Sequence, residues 1–187
     1  MQRILVAGIS GAGKSTLARA LAARLDLPYV EMDALFHGPG WTQLPGFVED
    51  VTAFTAQDRW VTDSIGYPAV RDLVWSRADT LVWLDLPRPQ VMVRVLRRSL
   101  WRGLLHREIW NGNRESVLAW RRPDHPVRWA WTQYRPRREL VLERLADPQR
   151  SGLRVVHLRS AAEARRWLGG VARTGGLEPP RRRVRGR

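Results

Sequence analysis

Short apolar runs alternate with amphipathic stretches along most of this chain, in the order that builds an open parallel sheet. Ile4-Leu5-Val6-Ala7 has no polar position and suits a buried parallel strand, and Lys14 to Leu25 sets Leu17, Leu21 and Leu25 at helical spacing among alanines. Asp26-Leu27-Pro28 ends that helix. Tyr29-Val30-Glu31-Met32 then reads as a second strand, residues 34–46 as a Gly- and Pro-rich loop, and Phe47 to Gln57 as a helix. Trp60-Val61-Thr62 is expected as a third strand, followed by a short helix around Pro68 to Trp75 and a fourth strand over Thr80 to Leu84. Pro89 to Leu100 carries an amphipathic helical pattern, residues 101–125 are irregular, and Val127 to Leu145 is helical with Pro136 expected to kink or split it. Leu153 to Leu158 is the fifth strand. Ser160-Ala161-Ala162-Glu163 is a capping box opening a last helix that Gly169-Gly170 closes.

The pattern predicts an α/β domain over residues 1–171, with the irregular segment at about 99–125 as an insertion. From Arg173 the period disappears, and residues 172–187 read as a basic, disordered tail. Three of the first four expected strands stop at an aspartate: Asp33, Asp63 and Asp85. Ligands of open α/β sheets bind outside the carboxyl ends of the strands, so one of these carboxylates is expected to serve a metal. Taken singly, each is also an ordinary solvated strand end or helix cap.

The first expected loop gives that end of the sheet a chemistry. Gly8-Ile9-Ser10-Gly11-Ala12-Gly13-Lys14-Ser15 is a complete G-x-x-x-x-G-K-[ST] phosphate-binding loop, placed between a strand and a helix as the motif requires. Its glycines let backbone N–H groups turn inward around phosphate oxygens, and the following helix N-terminus, with Thr16, adds partial positive charge. The Ser15 hydroxyl is expected to ligate Mg²⁺. Lys14 is the only lysine in the chain, all 31 other cationic side chains being arginine. Its compact ammonium reaches the β- and γ-phosphates of a nucleotide as a point charge.

Composition narrows the alternatives. The 187 residues contain no cysteine, which excludes disulfides, thiolate zinc sites and cysteine nucleophiles, and no apolar run approaches the length of a membrane span. With the first strand beginning almost at Met1, no targeting segment is expected, and the protein is placed in the cytoplasm. The net charge of +14 lies in the second half: residues 1–90 hold 8 basic and 10 acidic side chains, residues 91–150 hold 14 and 6, and residues 151–187 hold 10 and 2. The basic middle section also holds Trp101, Trp110, Trp120, Trp129 and Trp131, which we read first as core anchors and second as platforms for stacking nucleobases. The four histidines show no metal-ligand spacing, and His157 reads as structural. With no Asn-Lys-x-Asp guanine signature, ATP is favoured over GTP.

Several segments together carry a family resemblance. The phosphate loop, Met32-Asp33-Ala34-Leu35-Phe36 with Pro39-Gly40-Trp41, Trp60-Val61-Thr62-Asp63 with Tyr67 and Arg71, Leu84-Asp85-Leu86-Pro87-Arg88, and the Arg-rich stretch around Trp110-Asn111-Gly112-Asn113 resemble the bacterial DNA topology modulation proteins, which are similar to adenylate kinases. The resemblance covers about residues 3–170. It implies a three-layer P-loop NTPase fold, a five-stranded parallel sheet of order 2-3-1-4-5, and an arginine-bearing lid after strand four. It also implies that Asp63, ahead of Asp85, organises Mg²⁺. Relatives with Asp-Gly at this point differ from Asp63-Ser64 here. Asp33 resembles the acidic residue that shikimate-type kinases carry after strand two, contacting the phosphate-accepting hydroxyl or a metal water, with a cap of the following turn as the alternative. Arg71 fits an acceptor's phosphate or carboxylate, or a plain surface position. Adenine recognition falls by analogy to Arg159-Ser160-Ala161.

Phosphoryl transfer spreads negative charge that guanidinium groups stabilise, so Arg94, Arg97, Arg98, Arg102 and Arg107 are candidates, with Arg94 and Arg98 on one helical face at i, i+4. Two functional classes follow. One is an ATP- and Mg²⁺-dependent kinase of a small molecule, nucleotide or nucleoside. The other is an ATP-binding, nucleic-acid-associated protein, for which the basic tail supplies non-specific affinity. The kinase is the favoured class; the acceptor and the oligomeric state are not read from the sequence.

Overall fold

Strand β1 (Arg3–Gly8) is buried from Ile4 onward and forms the centre of the sheet. It can be apolar on both faces because helices cover both: Ile4 and Val6 face one side, Leu5 and Ala7 the other. The computed structural model describes residues 1–104, 108–109, 113–114 and 126–172. Within it, β1 pairs in parallel with β3 (Trp60–Thr62) and β4 (Thr80–Leu84). β2 (Tyr29–Val30) extends the sheet beyond β3, and β7 (Arg154–Leu158) beyond β4. The order β2-β3-β1-β4-β7 is the expected one, with β7 as the fifth strand of the sheet. An antiparallel pair, β5 (Glu108–Ile109) and β6 (Asn113–Arg114), lies against the Pro39–Trp41 turn.

The two faces fill differently. On one, α1 (Lys14–Leu25) and α5 (Arg88–Leu104) bury Leu17, Leu21, Val91 and Val95 on Val82 and Leu84 of β4. On the other, α3 (Phe47–Thr55) and α4 (Arg71–Arg77) bring Phe47, Val51, Val74 and Trp75 onto Leu81 and Trp83. The Trp75 indole N–H donates to the Ile65 carbonyl at 2.8 Å, which lets a polar ring edge sit in this core. The last helix, α7 (Ala161–Gly170), starts at the expected capping box. Ser160 Oγ accepts from Glu163 N at 3.1 Å, and the Glu163 carboxylate reaches back one residue further than in the usual box, to Arg159 N at 2.7 Å. Gly169 and Gly170 lie inside α7 rather than beyond it.

Other boundaries differ from the expectation for identifiable reasons. Strand β2 stops at Val30, and Met32–Phe36 forms a short helix, α2, because Met32 is drawn fully into the core. Asp33 therefore lies in a first helical turn, not in a loop. Helix α4 begins at Arg71, later than expected, and α5 runs on to Leu104. Helix α6 (Pro126–Ala146) runs through Pro136 as one helix, so of the expected kink or split the split does not occur. Losing one helical hydrogen bond there costs about 3 kcal/mol in an isolated helix. Anchors on both sides offset it: Tyr134 Oη donates to the Leu86 carbonyl at 2.8 Å, Arg138 binds Asp85, and Val141 is fully buried.

The tryptophans of the basic section correct the core reading. Trp101 and Trp131 are 61% and 54% exposed, Trp131 lying under the Arg88 guanidinium at 3.5 Å, and only Trp129 packs against the core among those described. Arg107, Trp110, Trp120, His106, His125 and the tail from Arg173 lie outside the described residues, as does most of the expected lid. Among the described residues no helix is long and apolar enough to cross a membrane.

The edge of β1 is tied by one carboxylate. Asp79 accepts from Gln2 N and Arg3 N at 2.8 and 2.9 Å and from Thr80 Oγ1. Burial alone would raise its pKa, but these hydrogen bonds hold it below the usual carboxylate range. Such a group stabilises the fold above its unfolded pKa of about 3.9 and loses that contribution as pH falls through the lower folded value. Asp79→Ala is therefore expected to cost about 1–2 kcal/mol at pH 7 by denaturant titration, with the difference from the parent chain closing below about pH 4.

Candidate active site

The loop after β1 is glycine-built because neighbours leave no room for side chains. Gly8, Gly11 and Gly13 have φ of 151°, 85° and 98°. A Cβ on Gly8 would lie 2.8 Å from the Leu84 carbonyl oxygen, and one on Gly11 would collide with Val95 Cγ2. The loop is thus pressed between β4 and α5, and α1 begins at Lys14 with its first N–H groups at the loop. Lys14 Nζ folds back to the Ile9 carbonyl at 3.3 Å across the concave side.

Helix α5 supplies the loop with cations. Arg94 Nη1 donates to the Ala12 carbonyl and Arg98 Nη2 to Ser10 Oγ, each at 3.1 Å. The i, i+4 spacing that paired these arginines in the sequence sets both on the loop. Withdrawal from water pushes the Lys14 ammonium below its ordinary range. Asp33 and Asp63 act against that shift, and Arg98 and Arg137 add to it. Among the described residues, then, two carboxylates and several guanidinium groups share one ammonium's field.

Asp63, at the end of β3, is buried, with the Ser15 hydroxyl close enough to bear on its charge. Its Oδ1 is enclosed without a hydrogen-bond partner. Desolvation raises its pKa, Ser15 and Lys14 oppose the rise, and Asp33 and Glu31 add to it. The Asp63-Ser64 departure leaves the turn intact, since Ser64 Oγ accepts from Gly66 N at 2.9 Å and the left-handed residue is Gly66, φ 93°. Asp85 is placed otherwise. Its carboxylate takes Arg138 Nε at 3.0 and 3.2 Å and His157 Nε2 at 3.0 Å, with His157 stacked on Trp83 at 4.2 Å. This locks α6 to the ends of β4 and β7, and His157 is structural, as expected.

Asp33 does not cap α2. Its Oδ1 accepts from Tyr67 Oη at 2.7 Å, joining α2 to the loop after β3. Arg71 Nε donates to the Gly66 carbonyl at 3.3 Å, and the absence of a Cβ on Gly66 allows that approach, since one would meet Arg71 Cα at 2.9 Å. Across from them stands Arg137 of α6, which the sequence reading missed. Burial, then Arg71, lowers its pKa, while Tyr67 and Asp33 act in the opposite sense. Among the described residues no carboxylate forms an ion pair with Arg71 or Arg137. Arg137 follows Pro136 in an arginine-rich stretch, so spacing carries no signal for it; only the packing of α6 brings it to the site. Thr16 is exposed on the first turn of α1, and Ser160 is engaged as a helix cap.

No protein-family model matches the chain. A shikimate kinase from Halorhodospira halophila (strain DSM 244 / SL1) is 30% identical over 138 residues, 65% of this chain and 77% of that one. Among solved structures, a shikimate kinase from Acinetobacter baumannii in complex with shikimate superposes with a TM-score of 0.55 at 17% identity, over 90% of this chain and 89% of that one. A gluconokinase from Sinorhizobium meliloti 1021 gives a TM-score of 0.48 at 22% identity over 90% and 91% of the two chains.

The close approach at Gly11 yields a direct test. Gly11→Ala combines a strained left-handed alanine with a clash against Val95, and is expected to weaken ATP binding more than tenfold by calorimetry. Adding Val95→Ala removes the clash but not the backbone strain, so recovery should be partial.

Proposed function

This chain belongs to the family of ATP-dependent P-loop kinases that includes shikimate kinase, and on that premise we propose that it phosphorylates a hydroxyl of a small, anionic alcohol. The observation that carries the acceptor's class is the facing arrangement of Asp33, held by Tyr67, with Arg71 and Arg137, two guanidinium groups without an ion-pair partner among the described residues. Two like charges brought together at a partly buried site fit a carboxylate or phosphate on the acceptor.

The donor side follows from the loop. Backbone N–H groups of residues 8–16 and the Lys14 ammonium would hold the ATP phosphates, and the anion would restore the ammonium's charged form against desolvation. Arg94 and Arg98 lie on the loop where they can meet charge spreading over the transferred group. A partnerless, buried Asp63 Oδ1 beside Ser15 suits Mg²⁺, with Ser15 as ligand and Asp63 as the carboxylate that organises it. Bound there, Mg²⁺ would neutralise phosphate charge and align the donor.

The acceptor's hydroxyl would lie on Asp33, which orients it and takes its proton late in transfer. Arg71 and Arg137 fix the far end of the molecule, so that binding of the anionic group aims the hydroxyl. Shikimate, a carboxylate-bearing polyol named in the relatives above, is the first acceptor to test, followed by sugar acids and nucleotides. The nucleic-acid reading, and with it the resemblance to DNA topology modulation proteins, rests chiefly on the Trp- and Arg-rich stretch through residue 125 and the tail from Arg173. Most of that stretch and the whole tail lie outside the described residues.

Coupled ADP release over an acceptor panel tests the proposal. Carboxylate- or phosphate-bearing alcohols should stimulate turnover and neutral polyols should not; stimulation by neutral polyols alone would refute the anion assignment. Arg137→Ala should raise the acceptor's KM about 10–100-fold, the worth of one charge-assisted hydrogen bond, and change the KM for ATP far less.

A further inference from the structure

Asp33 is one end of a hydrogen-bonded chain. Tyr67 Oη, 2.7 Å from Asp33 Oδ1, also lies 3.4 Å from His37 Nε2. The Tyr67 ring is immobilised by stacking on Phe36 at 3.9 Å and 16° and by the edge of Phe47 at 5.2 Å, Phe47 itself being fully buried. His37 meets Phe36 and Trp41 edge-on, at 5.0 and 5.3 Å. Three aromatic neighbours and two adjacent strand ends thus hold one phenol against one carboxylate.

We propose that Tyr67 and His37 are positioning residues for phosphoryl transfer: His37 directs the Tyr67 proton onto Asp33 Oδ1, leaving Oδ2 alone to receive the acceptor's hydroxyl. This rests on the reading of Asp33 as the acceptor-side carboxylate. A phenol has a single proton and can give it to only one neighbour. A neutral imidazole with its proton on Nε2 donates to the Tyr67 oxygen, so the Tyr67 proton is committed to Asp33. Burial favours that neutral ring, pushing His37 below its ordinary range against the opposing pull of Asp33. Burial, followed by the nearby Asp33 carboxylate, pushes Tyr67 well up, which keeps it a donor. Without this bond the carboxylate is free to turn about its Cβ–Cγ bond, and small displacements of a reacting group from its productive geometry are costly in rate.

Phe fills the same ring position as Tyr67, so a Phe substitution removes the hydrogen bond and keeps the packing. Tyr67→Phe in the full chain, assayed with Mg-ATP and shikimate, should lower kcat about 10–100-fold. The KM for ATP should stay at the parent value. In an Asp33→Asn background the same change should have less than a twofold further effect. A Tyr67→Phe kcat within twofold of the parent, or an equal loss in the Asp33→Asn background, would overturn the proposal. If Asp33→Asn itself retains parent kcat, the acceptor-side reading of Asp33 fails instead. A readout needing no acceptor is the ¹⁵N spectrum of the histidine-labelled protein at neutral pH. His37 should be the neutral Nε2–H tautomer, and an Nδ1–H tautomer refutes the proposal even where shikimate is not phosphorylated.

Discussion

An ammonium taken partly out of water and crowded by guanidinium groups is the constraint on which the site depends. Lys14 is drawn into its loop by a bond to the Ile9 carbonyl, and Arg98 and Arg137 both bear on its charge. Asp33, in α2, and Asp63, after β3, offset part of that repulsion. A site so charged is unfavourable for a lysine in isolation and favourable once phosphate oxygens enter, which makes the nucleotide the missing counter-charge. The same logic underlies the acceptor side we propose, since Arg71 and Arg137 repel each other until an anion joins them.

Such a concentration of charge needs a rigid frame, and the sheet supplies it. Buried on both faces, β1 ends at Gly8 with no space for a side chain beneath Leu84, and the loop it launches is clamped by Val95 of α5. Arg94 and Arg98 project from that same helix, so the surface that shapes the loop also charges it. On the far side α6 carries Arg137, and the Asp85 lock to Arg138 and His157 fixes its position relative to β4 and β7. Pro136, one residue before Arg137, is tolerated because that lock and the Tyr134 bond hold the helix on both sides of it.

What could be read from the sequence was what local periodicity or a contiguous motif encodes. The phosphate loop, the five strands and the shared face of Arg94 and Arg98 follow from spacing along the chain, whereas the order of the strands in the sheet came only with the family resemblance. The pairing of Tyr67 with Asp33 spans 34 residues and depends on which strands neighbour each other, so neither residue announces it. Arg137 is hidden among like residues and behind a proline that argues for a break. Asp63 and Asp85 look alike as strand ends and differ only in tertiary partners, Ser15 and Lys14 lying beside the first while Arg138 and His157 occupy the second. Trp101 and Trp131 misled because an indole's size suggests burial, whereas Trp131 serves as a platform for Arg88 at the surface.

Because Lys14 is the only lysine, its charge state can be followed as one side-chain signal in protein carrying ¹³C-labelled lysine. A pH titration of that signal, without and with a non-hydrolysable ATP analogue and Mg²⁺, measures the electrostatic claim directly. The account predicts a pKa below the ordinary lysine value of about 10.4 in the free protein, rising when the analogue binds. An ordinary value in the free protein, unmoved by the nucleotide, would contradict it.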